Sequence, residues 1–314
     1  MFRNTLVVLA LCASAATAAD VEKKTYVYKT VDGVKVEADV YRSADDKVQP
    51  VVVWIHGGAL VNGSRAQAPG NLRELCAKEG YTLVSLDYRL APQVKLPAII
   101  DDIKDAFRWL REKGPELLHI DPKRIVVTGG SAGGYLTMMT GICVEPRPLA
   151  LVAYWGYGDV DGDWYVKPSE HYRQLPLVKK EEAYQGIDKQ VVSGATTPEE
   201  RKARSRYYLY LRQNGLWTRE ITGFDPKEKA KLDPYCPVRN LTKDYPPILM
   251  VHGTVDTDVP YELSKAMADG LKKAGGKHEL ITVPDAGHGL SGGDPKLVRA
   301  AHERALDFIR EQLK

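Results

Sequence analysis

Alternating and continuous apolar segments divide the chain into predicted strands and helices. Residues 26–30 and 34–40 alternate polar and apolar side chains around an Asp-Gly pair, a pattern typical of a β-hairpin. Residues 51–55 form a fully apolar run, as expected of a strand that is covered on both faces. Residues 98–113 carry apolar side chains at three- and four-residue spacing, which predicts an amphipathic helix.

Strands and helices alternate along the rest of the chain. Further strands are predicted at residues 82–86, 124–128, 149–155, 248–251 and 279–283. Further helices are predicted at residues 71–78, 135–143, 261–274 and 298–313. An antiparallel start followed by alternating strands and helices indicates an α/β fold, with a mostly parallel central sheet and helices on both faces.

The alternation is interrupted once, between about residues 156 and 246. Roughly ninety residues separate two predicted strands there, far more than an ordinary connection contains. The segment is rich in tyrosine and also contains Trp164 and Trp217. We interpret it as an insertion that folds over the carboxyl edge of the sheet as a cap or lid. Its aromatic side chains suit sugar or phenolic groups, or else form a small core of the cap itself.

The first residues of the chain carry a targeting pattern. Arg3 precedes an apolar run at residues 6–12, and small residues follow as far as Ala19. This succession is typical of a secretory signal peptide. We therefore predict a signal peptide at residues 1–19, a mature domain at residues 20–314 and a secreted or periplasmic location. Stable membrane insertion after cleavage is not expected, because we find no other run that is apolar enough to cross a bilayer.

Composition narrows the choice of partners. The chain has 44 Lys+Arg and 41 Asp+Glu, and its basic residues are scattered, so no nucleic-acid partner is expected. A hydrophobic content of 44% is enough for a sizeable core. The mature chain would keep Cys76, Cys143 and Cys236, which allow at most one disulfide and leave open whether any forms. The sequence does not indicate an oligomeric state.

The segment with the most chemical information surrounds Ser131. Gly129-Gly130-Ser131-Ala132-Gly133 follows a predicted strand and precedes a predicted helix. A Gly-x-Ser-x-Gly sequence in that setting is typical of a nucleophile elbow, in which small residues permit a sharp, strained turn. We predict Ser131 as a nucleophile.

A serine nucleophile needs a base, and seven histidines are available. His288 lies in a glycine-rich loop after the last predicted strand, where a parallel sheet delivers side chains to its carboxyl edge. His252 also follows a strand and is a competing candidate. His56 follows a strand as well, but it precedes two glycines, and we expect the role of this loop to lie in its backbone groups. We predict His288 as the base.

The base needs an orienting carboxylate, and one loop offers two. Asp256 and Asp258 both follow the predicted strand at residues 248–251. The order Ser131, Asp256, His288 along the chain is the order found in α/β-hydrolases. One of the two aspartates has an ordinary alternative role in capping a turn or helix. We predict Asp256 as the acid and leave Asp258 as the alternative.

Backbone N–H donors for a developing oxyanion are expected after the strand at residues 51–55. Gly58 and Ala59 offer N–H groups with little side-chain obstruction, and Ala132 offers the N–H next to the nucleophile. A glycine pair by itself would indicate only a tight turn. We find no spacing typical of a metal site or a phosphate-binding loop, so no metal and no cofactor are expected.

These motifs together resemble those of α/β-hydrolase serine esterases. The resemblance is greatest to the hormone-sensitive-lipase-like and the bacterial feruloyl or acetyl-xylan esterase-like branches. The segments that carry it are HGGALVNGS (56–64), LDYRLAP (86–92), LPAIIDDIKDAFRWL (96–110), RIVVTGGSAGGYL (124–136), HGTVDTDVP (252–260) and DAGHG (285–289). The resemblance implies Ser131 as nucleophile, His288 as base, Asp256 as acid, and Gly58, Ala59 and Ala132 at the oxyanion positions.

Two residues depart from the pattern of that family. Ala59 stands where many relatives have a third glycine, which keeps the N–H but adds a methyl group. Gly130 stands where the lipase-like branch usually has an acidic residue before the serine, which favours the broader group of secreted esterases.

The leading hypothesis is a secreted carboxylic-ester hydrolase that acts through a covalent acyl-enzyme. Its substrate would be a small-molecule or oligosaccharide ester, with esters of carbohydrates or phenolic acids as one possibility. One alternative is a serine peptidase similar to the prolyl-oligopeptidase catalytic domain. Another is a non-catalytic binding protein built on a hydrolase fold.

Overall fold

A single eight-stranded sheet forms the centre of the computed structural model, which describes residues 21–187 and 190–314. The predicted signal peptide at residues 1–19 lies outside the described residues. The strands follow one another across the sheet in the order β1-β2-β4-β3-β5-β6-β7-β8. They are β1 (Val21–Val31), β2 (Val34–Ser43), β3 (Gln49–Ile55), β4 (Thr82–Leu86), β5 (Ile120–Gly130), β6 (Ala150–Tyr154), β7 (Ile248–Gly253) and β8 (His278–Val283).

Strand direction confirms the mostly parallel sheet. β1 pairs antiparallel with β2, β2 pairs antiparallel with β4, and the pairs from β4 to β8 are parallel. Asp32 and Gly33 both have positive φ angles, 51° and 77°, as the two-residue hairpin turn requires. The predicted hairpin is confirmed, although both strands extend beyond the residues that alternate.

Helices cover both faces of the sheet. They are α1 (Gly70–Glu79), α2 (Leu96–Glu112), α3 (Gly114–Leu118), α4 (Ala132–Cys143), α5 (Asp163–Val166), α6 (Glu170–Arg173), α7 (Lys180–Tyr184), α8 (Pro198–Asn214), α9 (Trp217–Thr222), α10 (Lys229–Leu232), α11 (Tyr261–Ala274) and α12 (Pro295–Leu313). Side chains of β3 alternate between two buried clusters. Val51, Val53 and Ile55 pack with α2, α4 and α11, whereas Val52 and Trp54 pack with α1 and α12.

Several predicted elements have other ends in the structure: the strand predicted at residues 124–128 is β5 (Ile120–Gly130), and the helix predicted at residues 298–313 is α12 (Pro295–Leu313). The helix predicted at residues 98–113 is α2 (Leu96–Glu112), and a second short helix, α3, begins at Gly114 with proline in its first turn. The helix after Ser131 begins at Ala132 rather than at Tyr135. Its glycines are poor helix formers in isolation, but here they allow close packing.

The segment between β6 and β7 contains helices α5 to α10 and, in its described residues, no strand. Several of its aromatic side chains are fully buried, and Tyr165 stacks on Trp217 with ring centroids 3.7 Å apart. Tyr157 and Tyr207 belong to the buried cluster that contains residues 51, 53 and 55 of β3. The cap segment therefore shares a core with the α2–α4 face of the sheet.

The described cysteines Cys76, Cys143 and Cys236 are all free, so none of them forms a disulfide with another. Burial raises the pKa of each thiol. Within residues 21–187 and 190–314, no helix is long and apolar enough to span a bilayer.

We expect Gly133→Ala to destabilise the fold. A Cβ atom at Gly133 would lie 2.0 Å from the carbonyl oxygen of Ile55, which is backbone and cannot turn away. Alanine favours a helix by about 1 kcal/mol over glycine. Overpacking costs about 1–3 kcal/mol and occasionally more, and a clash this severe outweighs the gain. Urea unfolding should show a lower free energy of unfolding.

The matched control is Gly70→Ala in α1, where an added Cβ would meet no atom within 4 Å. This variant should retain the stability of the wild type. Equal stability of the two variants would contradict the packing described at Gly133.

Candidate active site

Ser131 lies at the turn between β5 and α4. Its φ and ψ angles are 57° and −122°, a strained region for a residue with a side chain. Its backbone N–H donates to the carbonyl oxygen of Tyr154 at 2.9 Å, and its own carbonyl accepts from Tyr135 at 2.9 Å. These bonds hold the turn, which has the geometry predicted for a nucleophile elbow.

The glycines around Ser131 are required by close backbone contacts. A Cβ at Gly129 would lie 2.5 Å from the carbonyl oxygen of Gly133 and 2.6 Å from that of Ile55. A Cβ at Gly134 would lie 2.8 Å from the carbonyl oxygen of Tyr154. The turn therefore packs directly against the ends of β3 and β6.

His288 lies in a short turn after β8 and contacts both other residues predicted to work with it. Its Nε2 is 3.1 Å from Oγ of Ser131, and its Nδ1 is 2.8 Å from Oδ2 of Asp256. An ionised carboxylate can only accept, so Nδ1 carries the proton that is donated to Asp256. Nε2 is then free to accept the hydroxyl proton of Ser131. The structure thus brings the three predicted residues into one hydrogen-bonded chain.

The Asp256 carboxylate is buried and well supplied with donors. Its Oδ1 accepts from the backbone N–H groups of Asp258 and Val259, each at 2.9 Å. Its Oδ2 also lies 3.3 Å from Nε2 of His252. Burial by itself raises the pKa of Asp256, but the hydrogen bonds from His252, His288 and Val259 hold that pKa well below its usual value. Asp256 is therefore a stable anion.

Asp258 lies beside the ring nitrogen of His288 that does not face Asp256. Its Oδ2 is 3.5 Å from Nε2 of His288, the same nitrogen that faces Ser131. Burial lowers the pKa of His288, but the hydrogen bond to Asp256 and the negative charges of Asp258 and Asp256 raise it, and the net change is upward. Asp256 orients the imidazole, and both carboxylates stabilise its charged form.

A cap residue that the sequence did not point to holds Asp258. Nη1 of Arg212 donates to Oδ1 of Asp258 at 2.6 Å, and the hydroxyl of Tyr208 donates to the same oxygen at 2.6 Å. The guanidinium is buried among four aromatic rings, with ring centroids 5.0 to 5.7 Å away: those of Trp164, Tyr165, Tyr172 and Tyr208. Helix α8 is thus linked to His288 through Asp258.

The competing histidines have other surroundings. Nε2 of His252 lies 2.9 Å from the carbonyl oxygen of Val259, and its Nδ1 lies 2.7 Å from Oγ of Ser264. His56 is buried and stacks on Tyr88 with ring centroids 4.3 Å apart. Burial lowers the pKa of His56 to about 4, so it stays neutral. His288 is the histidine that contacts Ser131.

The loop after β3 packs against the elbow. A Cβ at Gly57 would lie 2.8 Å from the carbonyl oxygen of Gly130 and 3.4 Å from Cβ of Ser131. Gly58, Ala59 and Leu60 have positive φ angles of 104°, 54° and 65°. In the part of the chain that the structure describes, the N–H groups of Gly58 and Ala59 have no hydrogen-bond partner.

Cap residues anchor this strained loop. Nε1 of Trp217, in α9, donates to the carbonyl oxygen of Ala59 at 3.1 Å. Nη1 of Arg204, in α8, donates to the carbonyl oxygens of Val61 and Ala91, each at 2.9 Å. The side chains of both donors are buried. They fix the orientation of the loop whose N–H groups are predicted to bind an oxyanion.

No group of three or more His, Cys, Asp or Glu side chains among the described residues is arranged to hold a metal ion. A hydroxyl, an imidazole that accepts from it, a buried carboxylate and free N–H groups suit attack on a carbonyl carbon and transfer of an acyl group.

A family defined by the alpha/beta hydrolase fold matches residues 52–291. The match covers more than half of the chain and includes Ser131, Asp256 and His288. The chain belongs to the α/β-hydrolase family.

Solved structures of other proteins resemble this fold. The chain resembles a crystal structure of a Staphylococcus aureus protein of unknown function, at 20% identity and a TM-score of 0.74, over 93% of this chain and 100% of that one. It also resembles Thermogutta terrifontis esterase 2 phosphoramylated by tabun, at 25% identity and a TM-score of 0.61, over 93% of both chains.

A curated relative is the non-reducing polyketide synthase Preu6 of Preussia isomera. The two are 26% identical over 296 residues, which cover 84% of this chain and 13% of that protein. The chain thus spans only a small part of this much longer relative, and the activity of the whole synthase does not carry over to it.

We expect Asp258→Asn to shift the pH dependence of activity without destroying it. The charge of Asp258 raises the pKa of His288, which must be neutral to accept a proton. Activity is lost as pH falls through that pKa. Because the pKa of His288 is lower in Asp258→Asn, the acidic limb of the kcat/KM profile moves to lower pH, by about one unit. The plateau rate should stay within roughly tenfold of wild type, whereas a misoriented base in Asp256→Asn should cost about 10⁴-fold in kcat.

The measurement is a pH–rate profile for the wild type and both variants with one activated ester. A severe rate loss in Asp258→Asn combined with a mild one in Asp256→Asn would show that the two roles are assigned the wrong way round.

We expect Trp217→Phe to lower kcat by roughly tenfold with little change in KM, because small displacements of catalytic groups are costly. The variant keeps an aromatic ring but removes the donor to the Ala59 carbonyl. Trp109→Phe is the matched control, since it also replaces an indole by a phenyl ring, but that indole packs against the rings of Tyr26 and Tyr28 in β1. Equal kcat in the two variants would contradict a positioning role for Trp217.

Proposed function

We propose that this protein is a serine ester hydrolase that acts through a covalent acyl-enzyme. The observation that carries the proposal is the chain of hydrogen bonds from Ser131 through His288 to Asp256, with distances of 3.1 and 2.8 Å. The loop at Gly58 and Ala59, whose N–H groups have no partner in the described structure, supports it. So does the esterase class of the similar Thermogutta protein.

In the first half of the reaction, Oγ of Ser131 attacks the ester carbonyl carbon while Nε2 of His288 accepts the hydroxyl proton. The carbonyl oxygen becomes an oxyanion that accepts from the N–H groups of Gly58, Ala59 and Ala132. When the intermediate collapses, the bond to the alcohol oxygen breaks, and the alcohol leaves with the proton from His288. An acyl group remains on Ser131.

In the second half, His288 accepts a proton from water, and the resulting hydroxide attacks the acyl carbon. The same N–H groups bind the second oxyanion. The bond to Oγ breaks, Ser131 regains its proton from Nε2, and the carboxylic acid leaves. Through both halves Asp256 remains ionised and holds the imidazole in one tautomer, as its lowered pKa favours.

We further propose that the protein is secreted or periplasmic, on the strength of the targeting pattern at residues 1–19. Its substrate class within esters remains a proposal as well. The cap residues Tyr157, Tyr165 and Trp217 pack against one another, and Tyr207 is buried in the same cluster, so these rings do not support stacking on a sugar or phenolic ring. The half-buried rings of Trp155, beside His288, and of Trp164, beside Arg212, are the candidates for that role.

We expect nitrophenyl esters of short acids to be hydrolysed and a dipeptidyl amide to be cleaved far more slowly. Ser131→Ala should lower kcat/KM for the esters by about 10³-fold or more, because the nucleophile is lost. Ser291→Ala is the matched control in the His288 loop and should behave as wild type. Efficient amide cleavage with negligible ester turnover would favour the peptidase alternative instead.

Reaction with the organophosphate ester paraoxon distinguishes a serine hydrolase from a non-catalytic binding protein. Wild-type protein should gain one phosphoryl group on the peptide that contains Ser131, and Ser131→Ala should gain none. A folded wild-type protein that stays unmodified would favour the binding-protein alternative.

A further inference from the structure

Asp258 uses only one of its two carboxylate oxygens within the protein. Its Oδ1 accepts from Nη1 of Arg212 and from the hydroxyl of Tyr208, each at 2.6 Å. Among the described residues, none donates a hydrogen bond to Oδ2, which lies 3.5 Å from Nε2 of His288. The side chains of Asp258 and His288 are 15% and 30% exposed, so a bound molecule can reach both. Oδ2 is thus an open acceptor beside the base.

The role of His288 places the alcohol part of an ester beside this oxygen. In the proposed reaction, Nε2 of His288 passes a proton to the leaving alcohol oxygen, which requires a distance of about 3 Å between the two atoms. Oδ2 of Asp258 lies 3.5 Å from the same nitrogen. The carbon atoms next to the leaving oxygen are therefore the part of the substrate that comes nearest to Oδ2. Asp258 meets the alcohol side of the ester rather than the acid side.

The charges around Asp258 decide which chemical group can use this acceptor. A carboxylate accepts hydrogen bonds and repels anions. The side chain of Arg212 is 3% exposed, and its Nη1 bonds to Oδ1 and to the backbone carbonyl oxygen of Asp258, at 2.6 and 3.0 Å. Because this positive charge compensates that of the carboxylate, a cationic substrate would gain little attraction here. A neutral hydroxyl group, which donates one short hydrogen bond, suits Oδ2 better.

The position of that hydroxyl on the alcohol follows from the short span between the two oxygens that it must bridge. Oxygens on adjacent carbon atoms lie about one hydrogen-bond length apart when the bond between those carbons is gauche. An ester of a vicinal diol can therefore place its ester oxygen beside Nε2 of His288 and its free hydroxyl beside Oδ2 of Asp258 at the same time. An ether oxygen in place of the hydroxyl has no proton to donate and would face the carboxylate with its lone pairs.

We propose that Asp258 is a specificity-determining residue, which selects esters whose alcohol part carries a free hydroxyl on the carbon adjacent to the ester-bearing carbon. Oδ2 of Asp258 accepts from that hydroxyl while Nε2 of His288 donates to the leaving oxygen. The substrate class is thus the monoesters of vicinal diols, which include partial esters of polyols. This inference rests on the ester hydrolysis proposed above and names the alcohol that the site prefers.

The test compares two acetate esters that differ in one group. 2-Hydroxyethyl acetate has the vicinal hydroxyl, and 2-methoxyethyl acetate has a methyl ether in its place. Each kcat/KM of the wild-type protein is divided by the rate constant for hydrolysis of that ester by hydroxide ion, which corrects for intrinsic reactivity. We expect a corrected preference for the hydroxyl ester of about tenfold or more, because hydrogen bonds to a carboxylate are among the stronger kinds. Acetylcholine, corrected in the same way, should show no such preference over the methoxy ester.

Asp258→Asn should abolish the preference. Tyr208 and Arg212 both donate to Oδ1, so asparagine keeps its carbonyl oxygen there and turns its NH₂ group toward the substrate. An NH₂ group donates to a hydroxyl and to an ether oxygen alike, so the two corrected rates should become similar. Both esters meet the same His288, and any change in the base therefore cancels from their ratio. Asp163→Asn is the matched control in α5, where the carboxylate side chain is 77% exposed, and should keep the wild-type preference.

Each contrary outcome has its own meaning. Equal corrected rates for the two esters in the wild type, with nitrophenyl acetate still hydrolysed, would overturn the diol selectivity and leave ester hydrolysis intact. An unchanged preference in Asp258→Asn would overturn the role of Asp258, and a preference for acetylcholine would overturn recognition of a neutral hydroxyl. Absence of turnover of every ester by folded wild-type protein would overturn the proposed function and this inference with it.

Discussion

The site depends on the contact between two glycine-lined turns, one after β3 and one after β5. Gly129 and Gly133 let the elbow lie against the carbonyl oxygen of Ile55, and Gly57 lets the next loop lie against Ser131. Side chains at any of these positions would push the turns apart. The distance between the predicted nucleophile and the predicted oxyanion donors is therefore set by backbone packing, which is stiffer than any side-chain contact.

The cap segment is part of this arrangement, because two of its side chains bond to the loops that carry Ala59 and Asp258. Trp217 holds the carbonyl oxygen of Ala59, and Arg212 holds Asp258 beside His288. Both side chains are buried in the aromatic core that the cap shares with the sheet. A displacement of either side chain would therefore move the loop at Ala59 or the carboxylate beside His288. Substitutions in the cap segment can thus change the reaction rate at positions that do not contact a substrate.

The sequence predicted the sheet and the residues of the hydrogen-bonded chain because their signals are local. A strand, a tight glycine turn and a helix surround Ser131, and loops that follow strands carry Asp256 and His288. The order of elements then places the three at one edge of the sheet. In the sequence, only the glycine-rich loop around His288 favoured it over His252. Its contact with Ser131 joins residues 157 positions apart and has no local signal.

The contacts of the cap could not be predicted in this way. Trp217 and Ala59 are 158 positions apart, and Arg212 and Asp258 are 46 apart, so no spacing in the sequence connects them. The presence of a tryptophan or an arginine in this segment does not by itself indicate its partner.

The central claim is that Ser131 carries the acyl group during turnover. The most direct measurement is rapid acid quenching during hydrolysis of an activated acetate ester, followed by mass spectrometry of the peptides. Acetyl on the peptide that contains Ser131, formed and lost at rates that match turnover, is the predicted result. Turnover by folded protein with no acetyl on that peptide, or with full activity in Ser131→Ala, would contradict the account.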